Sequence, residues 1–92
     1  MGTEASLISF VAMSKRRKEI LERLNEGKLS QPEIRKLTGM YKSHTSRTLL
    51  ELVDKKLIKC INPESRAYKF YKVTSLGKKI LIEAKRVREH SL

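Results

Sequence analysis

The sequence predicts a mainly α chain, α+β in detail, with one β-hairpin set between its last two helices. Three observations predict it. Apolar residues recur at helical spacing through four segments before residue 57. Two short, β-branched or aromatic runs, "LIKCIN" and "AYKFYKV", then flank the turn-forming "NPESR". A helical period returns at Leu76.

The elements follow in order. Met1 to Ala5 are expected to be loose. Leu7, Ile8, Phe10 and Val11 put a short apolar helix over 6–13. Ser14 can cap a second helix, in which Ile20, Leu21 and Leu24 form one stripe, Lys15 to Lys18 occupy the other faces and Gly27 marks the end. "SQPEIRKL" carries the clearest start signal. Ser30 as N-cap and Glu33 three residues on form a capping box, and Pro32 falls in the first turn, where its missing N–H costs nothing. Ile34 and Leu37 are expected to face inward, and Gly39 to end this helix in the left-handed conformation.

Met40 and Tyr41 lead into the next helix, about 43–56, with Ser43 as its expected cap. Thr45, Leu49, Leu52 and Val53 share one side of it; Ser43, His44, Arg47, Glu51 and Asp54 lie opposite. In the second run of the hairpin, Tyr68 and Phe70 alternate with Lys69, Tyr71 and Val73. Phe70 and one tyrosine are expected to fill the core beneath it. Thr74 or Ser75 then caps a last helix to about Glu89.

Composition bounds the function. Ninety-two residues suffice for one domain, 1–92, with one modest core. The net charge of +11, from 21 Lys and Arg against 10 Asp and Glu, makes a polyanion the natural partner. The positive charges recur along the whole chain, so they decorate folded elements. A lone cysteine, Cys60, excludes an internal disulfide and fits a reducing, cytoplasmic setting. No membrane span or signal peptide is expected, because the apolar run at Leu7 to Met13 is too short and basic residues follow it. One cysteine and two distant histidines supply no metal-ligand spacing, so neither metal nor cofactor is expected. No phosphate-binding glycine loop or acid/base constellation stands out, which points away from an enzyme.

Helix, Gly-containing turn, helix and hairpin is the order of a helix-turn-helix with a wing, a three-helix core carrying a hairpin and a carboxy-terminal helix. "LSQPEIRKLTGMYKSHTSRTLLELVDKKLIKC", continued by the wing and "YKVTSLGKKIL", resembles a winged helix-turn-helix transcriptional regulator of archaeal type, related to the MarR and ArsR families. One departure is Lys56, which stands where those families carry glycine ahead of Leu57 and Ile58.

The expected partner is double-stranded DNA. A recognition helix needs polar, non-acidic residues on its leading turns, and Lys42, Ser43, His44, Ser46 and Arg47 qualify. Arg47 suits a bidentate pair to guanine. Gln31, Arg35 and Lys36 are candidate backbone contacts, and Arg66 and Lys69 place the wing, about 62–68, near phosphates or the minor groove. The plain alternative is an ordinary solvated surface. The terminal helices, 6–13 and 75–90, carry surplus apolar residues, and the resemblance implies a two-fold dimer through Leu7, Phe10, Val11, Ile80, Leu81, Ala84 and Val87. Two other function classes remain: a protein–protein adaptor, and an RNA or single-strand binder that stacks bases on Tyr68, Phe70 and Tyr71. The target sequence, the sign of regulation and any effector are not encoded in these patterns.

Overall fold

The computed structural model describes residues 3–90, with side chains for 3–86. Five helices and three short strands follow one another in those residues: α1 (Glu4–Ala12), α2 (Lys15–Asn25), β1 (Leu29–Ser30), α3 (Gln31–Thr38), α4 (Lys42–Asp54), β2 (Ile58–Cys60), β3 (Phe70–Val73) and α5 (Ser75–His90). Glu4 and Ala5 are helical and not loose, because Thr3 caps α1 by accepting from the Ser6 N–H. Ser14 caps α2 in the same way through the Arg17 N–H. Both side chains satisfy donors that a helix start leaves unpaired.

The capping box is present in full. The Ser30 Oγ accepts from the Glu33 N–H at 3.3 Å, and Glu33 Oε1 accepts from the Ser30 N–H at 2.8 Å. These bonds to the charged carboxylate hold Glu33 below its ordinary pKa. Gly39 closes α3 at φ +72°, and its N–H reaches the Arg35 carbonyl. Leu37, by contrast, stays 45 % exposed rather than facing inward. Ile34 alone fills the contact that α3 makes with the core, and the helix ends one residue beyond Leu37.

The sheet is antiparallel in the order β1-β3-β2. Tyr71 in the central strand pairs with Leu29 on one side and Cys60 on the other. The short β1 strand has no counterpart in the sequence reading, which gave Ser30 only a capping role. Tyr71 and Val73 are buried, Phe70 is half-buried and Tyr68 is exposed. Burial, followed by the neighbouring Cys60 thiol, raises the Tyr71 pKa.

One apolar core joins Ile20, Leu21 and Leu24 of α2, Ile34 of α3, Leu49 and Leu52 of α4, Leu57, Ile58 and the α5 residues Ile80, Leu81 and Ala84. The junction into α5 explains the "YKVTSLG" signature. The Thr74 hydroxyl lies 2.8 Å from the Lys56 carbonyl and accepts from the Gly77 N–H at 3.0 Å. A Cβ on Gly77 would run into the Leu57 carbonyl and the Val73 methyl. Lys56 itself adopts φ +63°, the left-handed conformation that glycine takes at the lowest cost.

The terminal helices differ from expectation. Val11, Ile80, Leu81 and Ala84 are 0–2 % exposed within a single chain, and Leu7 and Phe10 are half-buried against the same core. The surplus seen in the sequence is absorbed because α1 and α5 pack on each other and on α2. Those four core residues therefore present no surface to a second copy. The side chain of Val87 lies outside the described residues.

Candidate nucleic-acid interface

The leading turns of α4 form the centre of the site. The helix begins one residue before the expected range, with Tyr41 as an N-cap whose side chain makes no capping bond. Ser43 is thus not the cap; it lies in the first turn, exposed beside Lys42 and His44. One turn on, Arg47 is exposed as well, and no acidic residue occupies the first turn. Behind them Thr45, Thr48, Leu49 and Leu52 are buried, and both threonine hydroxyls donate to carbonyls four residues back. The packed back fixes the orientation of the polar front.

Ser46 and Gln31 act on each other. The Gln31 Nε2 donates to Ser46 Oγ at 2.7 Å, and both residues are half-buried. The Gln31 backbone N–H also reaches the Lys69 carbonyl at 3.3 Å. Gln31 therefore ties the start of α3 to α4 and to the base of the wing. Arg35, Lys42, Arg66 and Lys69 come together around a cleft of about 400 Å³ between α3, α4 and the wing, with no carboxylate in its lining. Lys36 is exposed on α3 but does not line that cleft.

Asn62 shapes the wing. Its Nδ2 donates to the Tyr68 carbonyl at 2.8 Å, and its Oδ1 accepts from the Phe70 N–H at 2.7 Å. One side chain thereby closes the loop that carries Arg66. The sequence marks Asn62 as a turn residue, and only the pairing of Tyr68 and Phe70 across the loop shows its bracing role. Of the hairpin aromatics, Tyr68 alone projects freely; Lys28 approaches the Phe70 ring to 5.8 Å.

Arg17 is the residue that sequence reasoning missed most completely. Its guanidinium stacks 3.7 Å over the Phe10 ring, donates to the Phe10 carbonyl at 2.7 Å and pairs with Glu51 Oε1 at 3.3 Å. It links α1, α2 and the rear of α4. Within "KRRK" nothing local marks it, since its partners lie seven and 34 residues away. Glu51, one turn beyond Arg47 on the same side of α4, is thereby paired with Arg17.

No protein-family model and no curated protein sequence matches this chain. Solved structures do. A point mutant of MarR from E. coli, complexed with operator DNA, superposes at a TM-score of 0.71 with 17 % identity, covering 90 % of this chain and 64 % of that one. The fold is the winged helix. The adhesin competence repressor AdcR from Streptococcus pyogenes matches at 0.69 with 15 % identity, covering 85 % and 59 %. A homodimeric winged helix-turn-helix DNA-binding domain from Mycobacterium bovis, described as a possible ArsR-family regulator, matches at 0.69 with 19 % identity, covering 96 % and 78 %. The chain spans about three fifths of the first two proteins. These neighbours are bacterial transcription regulators, so the archaeal type that the resemblance named is not supported. Among the described residues no helix is long and apolar enough to cross a membrane.

Proposed function

We propose that this chain is a sequence-specific, double-stranded DNA-binding transcriptional regulator that enters the major groove with α4. One observation carries the reading. The packed side of α4 leaves Lys42, Ser43, His44 and Arg47 together in solvent, with no carboxylate on that turn. Arg47 reads a base edge, as a guanidinium suits guanine O6 and N7. Lys42, Ser43 and His44 lie beside it, and Ser46 acts through its bond from Gln31. Arg35, Lys42, Arg66 and Lys69 meet one phosphate backbone along the wing-side cleft, with Lys36 a further contact on α3. The operator complex of the E. coli neighbour supports the same use of the fold.

The working form is a homodimer in a cytoplasmic setting, as the homodimeric mycobacterial domain suggests. With Val11, Ile80, Leu81 and Ala84 occupied internally, pairing uses the outer sides of the terminal helices, where Leu7 and Phe10 are half-buried and Ile82 is 56 % exposed. Two recognition helices then sit about 34–36 Å apart on a palindromic site.

Selection of bound fragments from random duplex DNA tests this function. Enrichment of one inverted repeat is the expected result, with affinity that falls steeply as salt rises. A chain that enriches no duplex sequence, or prefers single strands, contradicts it.

A further inference from the structure

Lys15 and Arg16 hold a second phosphate-binding surface, on the flank of α4 that faces away from the wing: so we infer from the recesses around the helix tip. The inference rests on the DNA-reading role proposed for α4.

Two recesses flank the start of that helix. The wing-side cleft is lined by Lys42; the other, of about 280 Å³, is lined by His44, the Thr38–Tyr41 turn, and Lys15, Arg16 and Glu19 of α2. Residues two apart on a helix point about 200° from one another, so Lys42 and His44 mark opposite flanks. A helix lying in a major groove about 12 Å wide has a sugar-phosphate backbone on each side. The wing-side cleft serves one of these backbones. The recess at α2 faces the other.

The charges there are free to act. Lys15 and Arg16 are exposed, and among the described residues neither forms an ion pair. Arg17, next in the chain, is consumed by Phe10 and Glu51. Glu19 is the one carboxylate in the recess and is half-buried, leaving the exposed rim cationic. Tyr41, 78 % exposed and edge-on to His44 with ring centres 6.1 Å apart, adds a hydroxyl to the same rim. Two cations at the amino end of α2 oppose that helix's own dipole. With respect to that dipole their placement is unfavourable within the chain, and it suits an external anion.

The test uses the full chain and a duplex obtained by selection, titrated from 50 to 200 mM salt. Lys15→Ala/Arg16→Ala removes two phosphate contacts per protomer, four per bound dimer. The slope of log affinity against log salt should become shallower by about 3.6, so the variant loses about 150-fold less affinity than wild type over that range. Lys59→Ala/Lys72→Ala, two exposed lysines facing each other across β2 and β3 and free of ion pairs among the described residues, removes the same charge elsewhere and should leave the slope unchanged. Neutral methylphosphonate linkages locate the contact. On the strand facing α2 they should weaken wild type and not the Lys15/Arg16 variant; on the strand facing the wing they should weaken both. Melting temperature should not fall, which separates lost contact from lost fold. An unchanged slope, an equal change in the Lys59/Lys72 control, or a linkage pattern identical to wild type overturns this inference alone. Failure of wild type to bind any duplex overturns the DNA-reading role beneath it.

Discussion

Helices α3 and α4 follow one another through a three-residue turn, yet their starts are built on opposite plans. At α3 the Ser30 side chain, the Glu33 carboxylate and the following proline leave the first turn internally satisfied. At α4 the cap is Tyr41, no side chain closes the first turn, and Lys42, Ser43 and His44 stand in solvent. One start is finished by the chain itself. The other stays open to solvent. The contrast teaches that a small basic domain can place a self-satisfied helix start and an open, cationic one within a few residues of each other, provided the back of the open helix is well packed.

Five substitutions break or sharpen that contrast. The largest effect belongs to the buried back of α4. Leu49→Ala should cost about 2–5 kcal/mol of stability in urea melts, and should impair DNA binding only as far as it unfolds the chain. Arg47→Ala is the converse. It should cost about 1–3 kcal/mol of discrimination between cognate and altered duplexes and relax preference at one base pair. Its melting free energy should stay within about 0.5 kcal/mol of wild type. Equal loss on every duplex would remove Arg47 from base reading.

Ser30→Ala dismantles the closed start and should cost about 0.5–2 kcal/mol of stability with cognate preference retained. The same cap has a pH signature. The folded pKa of Glu33 is lowered by its bonds to Ser30, so its contribution is fully present above the unfolded carboxylate value and fades as pH falls through the folded one. Urea midpoints measured down through the acid range should therefore drop less for Glu33→Gln than for wild type. The smallest effect is Lys56→Gly. Relief of the left-handed strain is opposed by glycine's entropy, for a net gain of up to about 1 kcal/mol in thermal unfolding.

What the sequence discloses and what it hides divide along chain distance. The capping box, Gly39 and the Thr74 cap act over a few residues, and their signals sit in adjacent letters. The β1 strand is two residues long, and its partners lie about forty residues on, so no local period announces it. The Gln31–Ser46 bond and the Arg17 link to Phe10 and Glu51 are invisible for the same reason. Apolar count misleads at the termini. Ile80, Leu81 and Ala84 look surplus beside a three-helix core, until α1 and α5 are seen to complete that core. Leu37 errs the other way, since α3 ends before any neighbour can cover it. The solvent-facing turn of α4 was readable because its polar and apolar faces alternate at helical spacing; which polar residue is engaged internally was not.

Dimethyl sulfate footprinting on a selected duplex tests the groove assignment most directly, since the reagent reports guanine N7 in the major groove and adenine N3 in the minor groove. Wild type should protect guanine N7 within each half-site, and Arg47→Ala should lose that protection at one position while the wing contacts persist. Tight duplex binding that leaves every guanine N7 open to methylation would contradict the entry of α4 into the major groove.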